Sequence, residues 1–191
     1  MSKDFDSEQI IFKLSLLGDG SVGKTSLRHR YLGKEFSTSY LATLGADFAI
    51  KEVNYDNQFT VRYQIWDLAG QPRFNQLRKT FYLGSQGAII IYDVNSFDSF
   101  NNVKNWVNEF IANNGKGSGI ILLVGNKIDL RNDNSVTTKQ GEDLANSLSS
   151  IIKKEVPFIE TSAKTGQNIE DAFKLITDYF LKSININESK E

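Results

Sequence analysis

Cysteine is absent from the 191-residue sequence. That excludes disulfides, thiolate metal sites, thiol nucleophiles and every cysteine-linked lipid anchor. Proline occurs only as Pro72 and Pro157, so no proline-rich linker divides the chain. The single histidine, His29, has no partner pattern and reads as a surface or packing residue. An excess of either charge is also missing. Lys and Arg number 22 against 23 Asp and Glu, which leaves no electrostatic footprint for nucleic acid or an acidic membrane. The longest apolar runs, such as residues 120–124, fall far short of the ~20 residues a bilayer crossing needs. The opening stretch MSKDFDSEQ is polar, with no apolar signal core, and Ser2 rules out myristoylation. These absences predict a soluble, cytoplasmic protein.

What is present is ordinary globular composition, with 40% hydrophobic and 24% charged residues, which excludes disordered and fibrous classes. At roughly 100–200 residues per domain, the length suits one domain with a single sizeable core. Short apolar runs alternate with amphipathic stretches. Residues 10–17 read as a strand, followed by a glycine-rich turn and a helix from about 23 to 32. Residues 48–55 and 59–67 read as a hairpin with its turn at Asp56-Asn57. Phe59, Val61, Tyr63 and Ile65 alternate with Thr60, Arg62 and Gln64, so one face of that second arm is buried. Residues 88–93 and 120–126 are continuous apolar runs, as strands covered on both faces would be. Between them Phe100, Val103, Val107 and Phe110 mark one helix face, with Ser96 or Ser99 as candidate caps. The aromatics Phe97, Phe100, Trp106 and Phe110 read as core. A last strand at 157–161 precedes a helix capped by Asn168, with Ile169, Phe173, Ile176 and Phe180 facing inward. Strands alternating with helices imply a mainly parallel sheet covered on both faces. Ligands of such folds bind beyond the carboxyl ends of the strands.

The first loop in that position reads Gly18-Asp19-Gly20-Ser21-Val22-Gly23-Lys24-Thr25. It fits the phosphate-binding pattern of glycine, four residues, glycine, lysine and a hydroxyl. Its N–H groups, from Gly20, Ser21, Val22, Gly23, Lys24, Thr25 and Ser26, would turn toward one anion at a helix start. Lys24 would reach the outer phosphates, and the Thr25 hydroxyl would ligate Mg²⁺. Asn126-Lys127-Ile128-Asp129 follows the next-to-last strand. An aspartate there accepts both the ring N–H and the amine of guanine, a donor pair that adenine lacks. In Trp66-Asp67-Leu68-Ala69-Gly70-Gln71, Asp67 would hold Mg²⁺ through water, Gly70 N–H would meet a γ phosphate, and Gln71 would orient the attacking water. Ser162-Ala163-Lys164 would offer backbone N–H groups to the guanine oxygen. Taken singly, the last three patterns are weak and each also reads as an ordinary strand-end turn. Their order and placement give them weight.

Over residues 10–181 these motifs make the chain resemble a small GTPase of the Ras superfamily, most similar to the Rab group. GDGSVGKT resembles that group's GDSSVGKT, and Thr43-Leu44-Gly45-Ala46-Asp47-Phe48 resembles TIGVDF. The resemblance implies an α/β fold: one P-loop NTPase domain with a six-stranded, mostly parallel sheet, one antiparallel edge strand and helices on both faces. It places a flexible N-terminus at 1–9, the GTP-binding domain at 10–181 and a C-terminal tail at 182–191. It also makes Thr43 the switch threonine that completes Mg²⁺ coordination, Phe36 the aromatic against guanine, and Tyr40 the cover over the phosphates. Phe48, Trp66 and Phe81 fall on the aromatic patch that Rab effectors read. The chemistry implied is slow hydrolysis of GTP to GDP, with Gln71 and Lys24 catalytic. An exchange factor, an activating protein and effectors would engage residues 36–48 and 66–82 of a monomer, at membranes through those partners.

Leu68 stands where the family has threonine, and Pro72 where Rabs have glutamate, which stiffens the start of the second switch. The stretch between Asn126 and Ser162 is longer than usual, with an extended helix expected around 146–153. The tail carries no prenylatable cysteine. Two rivals remain at this stage: a P-loop kinase or ATPase, disfavoured by Asn126 and Asp129, and a GTP-binding interaction scaffold without turnover, disfavoured by Gly20, Thr43 and Gln71.

Overall fold

Burial dictates the arrangement of the strands. Phe12, Leu14, Leu16 and Leu17, residues 88–92 and residues 121–124 are all solvent-inaccessible or nearly so, and strands apolar on both faces must lie in the middle of a covered sheet. The computed structural model describes residues 8–33, 38–41, 45–55, 59–71, 74–115 and 119–184. In chain order these form β1 (Glu8–Leu17), α1 (Lys24–Leu32), β2 (Thr38–Leu41), β3 (Ala46–Tyr55), β4 (Phe59–Leu68) and α2 (Asn75–Tyr82). Then come β5 (Gly87–Asp93), α3 (Phe97–Asn101), α4 (Val103–Asn113), β6 (Ile120–Asn126), α5 (Thr138–Ile152), β7 (Phe158–Thr161) and α6 (Ile169–Ser183). The hairpin turn expected at 56–57 and the two chain ends, 1–7 and 185–191, lie outside the described residues.

The sheet order is β2-β3-β4-β1-β5-β6-β7. β4, β1, β5, β6 and β7 are parallel, and β3 runs antiparallel to β4 in an unbroken register from Ala46 opposite Leu68 to Tyr55 opposite Phe59. Those are the six expected strands with their antiparallel member. The four-residue β2 extends the same edge beyond them, antiparallel to β3. The chain leaves β1 for one side of the sheet and crosses back to build β5 on the other. The end of β1 is therefore the switch point, where ligand loops diverge.

Period-two alternation sorts the central strands onto two cores. Ile89 and Ile91 face α1 and α6 with Phe12, Leu14, Leu16, Leu122 and Val124. Ala88, Ile90 and Tyr92 face the opposite layer with Leu17, Ile121 and Leu123, where α2, α4 and α5 contribute Tyr82, Val107, Phe110, Ala145 and Leu148. On the first face the rings interleave: Phe173 stacks on Tyr31 at 3.5 Å, Phe180 on Phe12 at 4.1 Å, and Tyr63 meets Thr177 by a hydroxyl bond of 2.6 Å.

Three helix details depart from expectation. The stripe through Phe100 and Phe110 is two helices, because the chain turns at Asn102; Ser96 caps the first by accepting from Ser99 N, and Phe97 lies 45% exposed rather than in the core. Asn168 occupies the position before α6 with φ of 57°, but its amide donates to Glu160 O instead of capping. The first turn of α6 relies on Glu170 and Asp171 against the helix dipole. The helix expected around 146–153 starts at Thr138, set by a reciprocal box in which Thr137 accepts from Gln140 N and Gln140 returns to Thr137 N.

Phe173→Ala should cost about 3–5 kcal/mol, since the ring is fully buried between Tyr31 and Tyr63. Denaturant unfolding at fixed nucleotide concentration measures this; a loss under ~1 kcal/mol would mean that the site collapses without the ring.

Candidate functional site

Parallel strands deliver their carboxyl ends to one edge, and the loops after β1, β4, β6 and β7 meet there. The loop after β1 turns through left-handed residues at Ser21 (φ 64°) and Gly23 (φ 103°) before α1 begins at Lys24. A side chain at Gly23 would put its Cβ 2.3 Å from the Asn126 amide nitrogen, so glycine is required both by backbone angle and by the neighbouring loop. Val22 is buried beneath the turn, while Gly20 and Ser21 face the cleft. The Lys24 ammonium folds back to donate to the carbonyls of Gly18 (2.7 Å) and Asp19 (2.6 Å). Burial pushes its pKa down to about 8, against the pull of Asp67 and Asp19.

Beside it, Thr25 Oγ1 donates to Asp67 Oδ2 at 2.5 Å. Burial also raises the Asp67 carboxyl, outweighing that bond and the nearby Lys24 and Arg28. The exposed Thr25 hydroxyl and the buried Asp67 carboxylate form a hard-oxygen pair that fits Mg²⁺. Arg28, fully buried in α1, forms an ion pair with Asp47 at the start of β3, tying the helix of the phosphate loop to the strand that follows residues 42–44. Nothing in the helical pattern of residues 24–32 signals that pair.

At the other end, Asn126 is inaccessible to solvent and joins three loops. Its Nδ2 donates to Val22 O (2.9 Å), while Oδ1 accepts from Thr161 Oγ1 and Ala163 N (both 3.1 Å). Lys127 takes φ of 69° and forms an ion pair with Asp93 at 2.7 Å. Asp129 accepts from Ser162 Oγ at 2.6 Å, and Lys164 Nζ stands 4.0 Å away.

The segment after β4 lies directly on the phosphate loop. A Cβ at Gly70 would be 2.4 Å from Gly18 O and 2.7 Å from Gly20 N. Ala69 N donates to Gly45 O, and Gln71 is exposed at the mouth of the cleft. Arg78 of α2 donates to the carbonyls of Ala69 and Gln71.

Three adjoining cavities make one groove. The first, about 350 Å³, runs from Gln71 and Asp67 to Lys24 and Thr25. The second, about 320 Å³, spans Ser21, Thr25, Ser26 and Lys127. The third, about 400 Å³, reaches Asn126, Asp129, Ala163 and Lys164. Phe36 and Thr43 lie outside the described residues; for Tyr40 only the backbone is described, paired in β2 opposite Asp47. Among the described residues, no group of three or more His, Cys, Asp or Glu could hold a metal ion.

A phosphate-type loop at the switch point of a parallel sheet, with the other strand-end loops gathered on it, defines a P-loop α/β nucleotide-binding domain. A family model described as Ras family matches residues 13–182. The chain is 43% identical over 177 residues to the Ras-related protein Rab7 of Cenchrus ciliaris, covering 91% of this chain and 84% of that one. It is 41% identical over 184 residues to the Ras-related protein RABD1 of Arabidopsis thaliana (96% and 84%), and 41% identical over 183 residues to the GTP-binding protein YPTM1 of Zea mays (96% and 83%). The chain belongs to the Ras family and is a Rab-like small GTPase. Among the described residues, no helix is long and apolar enough to cross a membrane.

Gly70→Ala would force residues 69–71 off the phosphate loop. The dissociation constant for GTP should rise about tenfold, or ~1.4 kcal/mol, while GDP binding stays nearly unchanged. Equal losses for both nucleotides in a competition assay would place Gly70 away from the terminal phosphate.

Proposed function

We propose that this chain is a guanine-nucleotide switch that binds GTP and GDP with Mg²⁺, slowly hydrolyses GTP, and presents nucleotide-dependent surfaces to partners in membrane traffic. The observation that carries this reading is the single groove with Lys24 and Thr25 at one end and Asp129 at the other. A second observation supports it. A Cβ built on Gly20 meets no atom within 4 Å, so the fold itself has no need for glycine there; the space it would fill is in the cleft.

In this reading the backbone N–H groups of residues 20–26 cradle the phosphates, and the Lys24 ammonium exchanges its carbonyl partners for phosphate oxygens. Thr25 and Asp67, with Thr43 by family likeness, hold the Mg²⁺, which when bound offsets charge on the phosphate oxygens. Gln71 orients the attacking water. Asp129, already accepting from Ser162, turns its carboxylate to the guanine N–H pair, while residues 162–164 offer N–H groups to the guanine oxygen. By family likeness Phe36 flanks the base and Tyr40 covers the phosphates.

Partner contacts belong to residues 36–48 and 66–82. Phe48, Trp66 and Phe81 form a continuous aromatic row, with ring centres 4.7 and 5.1 Å apart, suited to an effector. An exchange factor and an activating protein are expected there as well. The 10–181 domain acts as a cytoplasmic monomer that reaches membranes through its partners. A scaffold that holds GTP without turnover is the weaker reading, since it needs neither Gly20 nor Gln71.

Two substitutions test this. Asp129→Asn exchanges an acceptor for a donor, so affinity should fall for GTP and rise for XTP; ATP competing as well as GTP against a fluorescent GDP in the parent protein would defeat the guanine assignment. Gln71→Leu should slow single-turnover hydrolysis at least tenfold, about 1.4 kcal/mol in barrier, and leave GDP affinity nearly unchanged. An unaltered rate would remove Gln71 from the chemistry.

A further inference from the structure

Gln71 can orient water only if its backbone is fixed, yet residues 69–71 belong to no helix or strand. Two backbone bonds, Ala69 N to Gly45 O and Phe74 N to Gln71 O, hold them in part, and the side chain that joins in is Arg78. Its guanidinium is 3% exposed, and Nη1 donates to Ala69 O at 2.8 Å and Gln71 O at 3.0 Å. The opposite edge meets the Glu109 carboxylate of α4, from Nε at 3.1 Å and Nη2 at 3.3 Å. Glu109 Oε1 also accepts from the buried Tyr82 hydroxyl at 2.8 Å. The plane of the guanidinium lies over the Trp106 ring, 4.6 Å from its centre. Arginine's rigid fork is what allows two carbonyls and a carboxylate to be engaged at once, with an aromatic face beneath; a lysine offers one point charge.

Trp106 has a second task. Its Nε1 donates to Asp19 Oδ1 at 2.7 Å, and Asn102 Nδ2 donates to the same oxygen at 2.6 Å. Asp19 belongs to the phosphate loop, against which Gly70 lies. One rigid helix, α4, therefore fixes both the loop that would hold the phosphates and, through Arg78, the segment that carries Gln71.

We propose that Arg78, seated on Trp106 and Glu109, is a positioning residue for GTP hydrolysis that holds the Gln71 backbone in register with the phosphate loop. This rests on the assignment of Gln71 to water orientation. Displacing a positioned group by about 1 Å costs up to ~100-fold in rate, so loss of the two carbonyl bonds should appear in the chemical step.

The test is a double-mutant cycle on the full chain. Single-turnover hydrolysis is measured for the parent, Arg78→Met, Gln71→Leu and the double variant, with GDP dissociation and thermal unfolding in GDP and Mg²⁺ alongside. Arg78→Met should hydrolyse about 10–100-fold more slowly, release GDP within about threefold of the parental rate, and add nothing further in the Gln71→Leu background. Arg78→Lys retains the charge without the fork, and should recover only part of the rate; it also stands in should Arg78→Met fail to fold. A parental rate in Arg78→Met or Arg78→Lys, or a full further loss when Arg78→Met is combined with Gln71→Leu, overturns the inference. A parental rate in Gln71→Leu itself would instead overturn the assignment of Gln71.

Discussion

The whole site hangs on one buried amide. Asn126 is sealed from solvent, and each of its polar atoms is spent on a different loop: Val22 of the phosphate turn on one side, Thr161 and Ala163 on the other. A buried amide left unpaired costs about 1–3 kcal/mol, so the fold keeps both ends of this side chain bonded. The geometry of these bonds fixes how far the Lys24 end of the groove stands from the Asp129 end. Gly23 follows from the same contact, because any side chain there would occupy the position of the Asn126 nitrogen.

Around that knot the protein concentrates charge that it does not neutralise completely. Lys24 and Asp67 are both buried, and both shift toward their uncharged forms despite lying near each other. Attraction between them is smaller than the cost of removing them from water. A site in that condition gains from an incoming anion and a divalent cation, each of which restores a partner to one of the pair. In the proposed reading, nucleotide affinity and metal dependence are built from the same desolvation.

Helix α4 adds a second frame, independent of the first. Trp106 uses its indole N–H on Asp19 and its ring face on Arg78, while Glu109 takes up the remaining guanidinium edge. The segment after β4 lies in no ladder and has only the backbone bonds Ala69 N to Gly45 O and Phe74 N to Gln71 O, so a side chain from α2 adds two more at its carbonyls.

Sequence by itself determined the alternation of strands and helices, the parallel sheet with its antiparallel arm, and the loops that gather at its carboxyl edge. Each of these is local: a period of two or of three to four, a glycine spacing, a lysine followed by a hydroxyl. The family motifs were legible because they place glycines and short polar side chains at fixed offsets. Tertiary structure alone decided the rest. Trp106 reads as core by its spacing, and it is buried, but only the approach of α4 to the phosphate loop gives its indole N–H an acceptor. Arg78 and Arg28 look like ordinary charges on helical stretches. Their burial comes from Glu109 and Asp47, which lie 31 and 19 residues away in the chain. Pairs of that kind leave no periodic trace, because the bond is set by how two elements cross and not by spacing along either one.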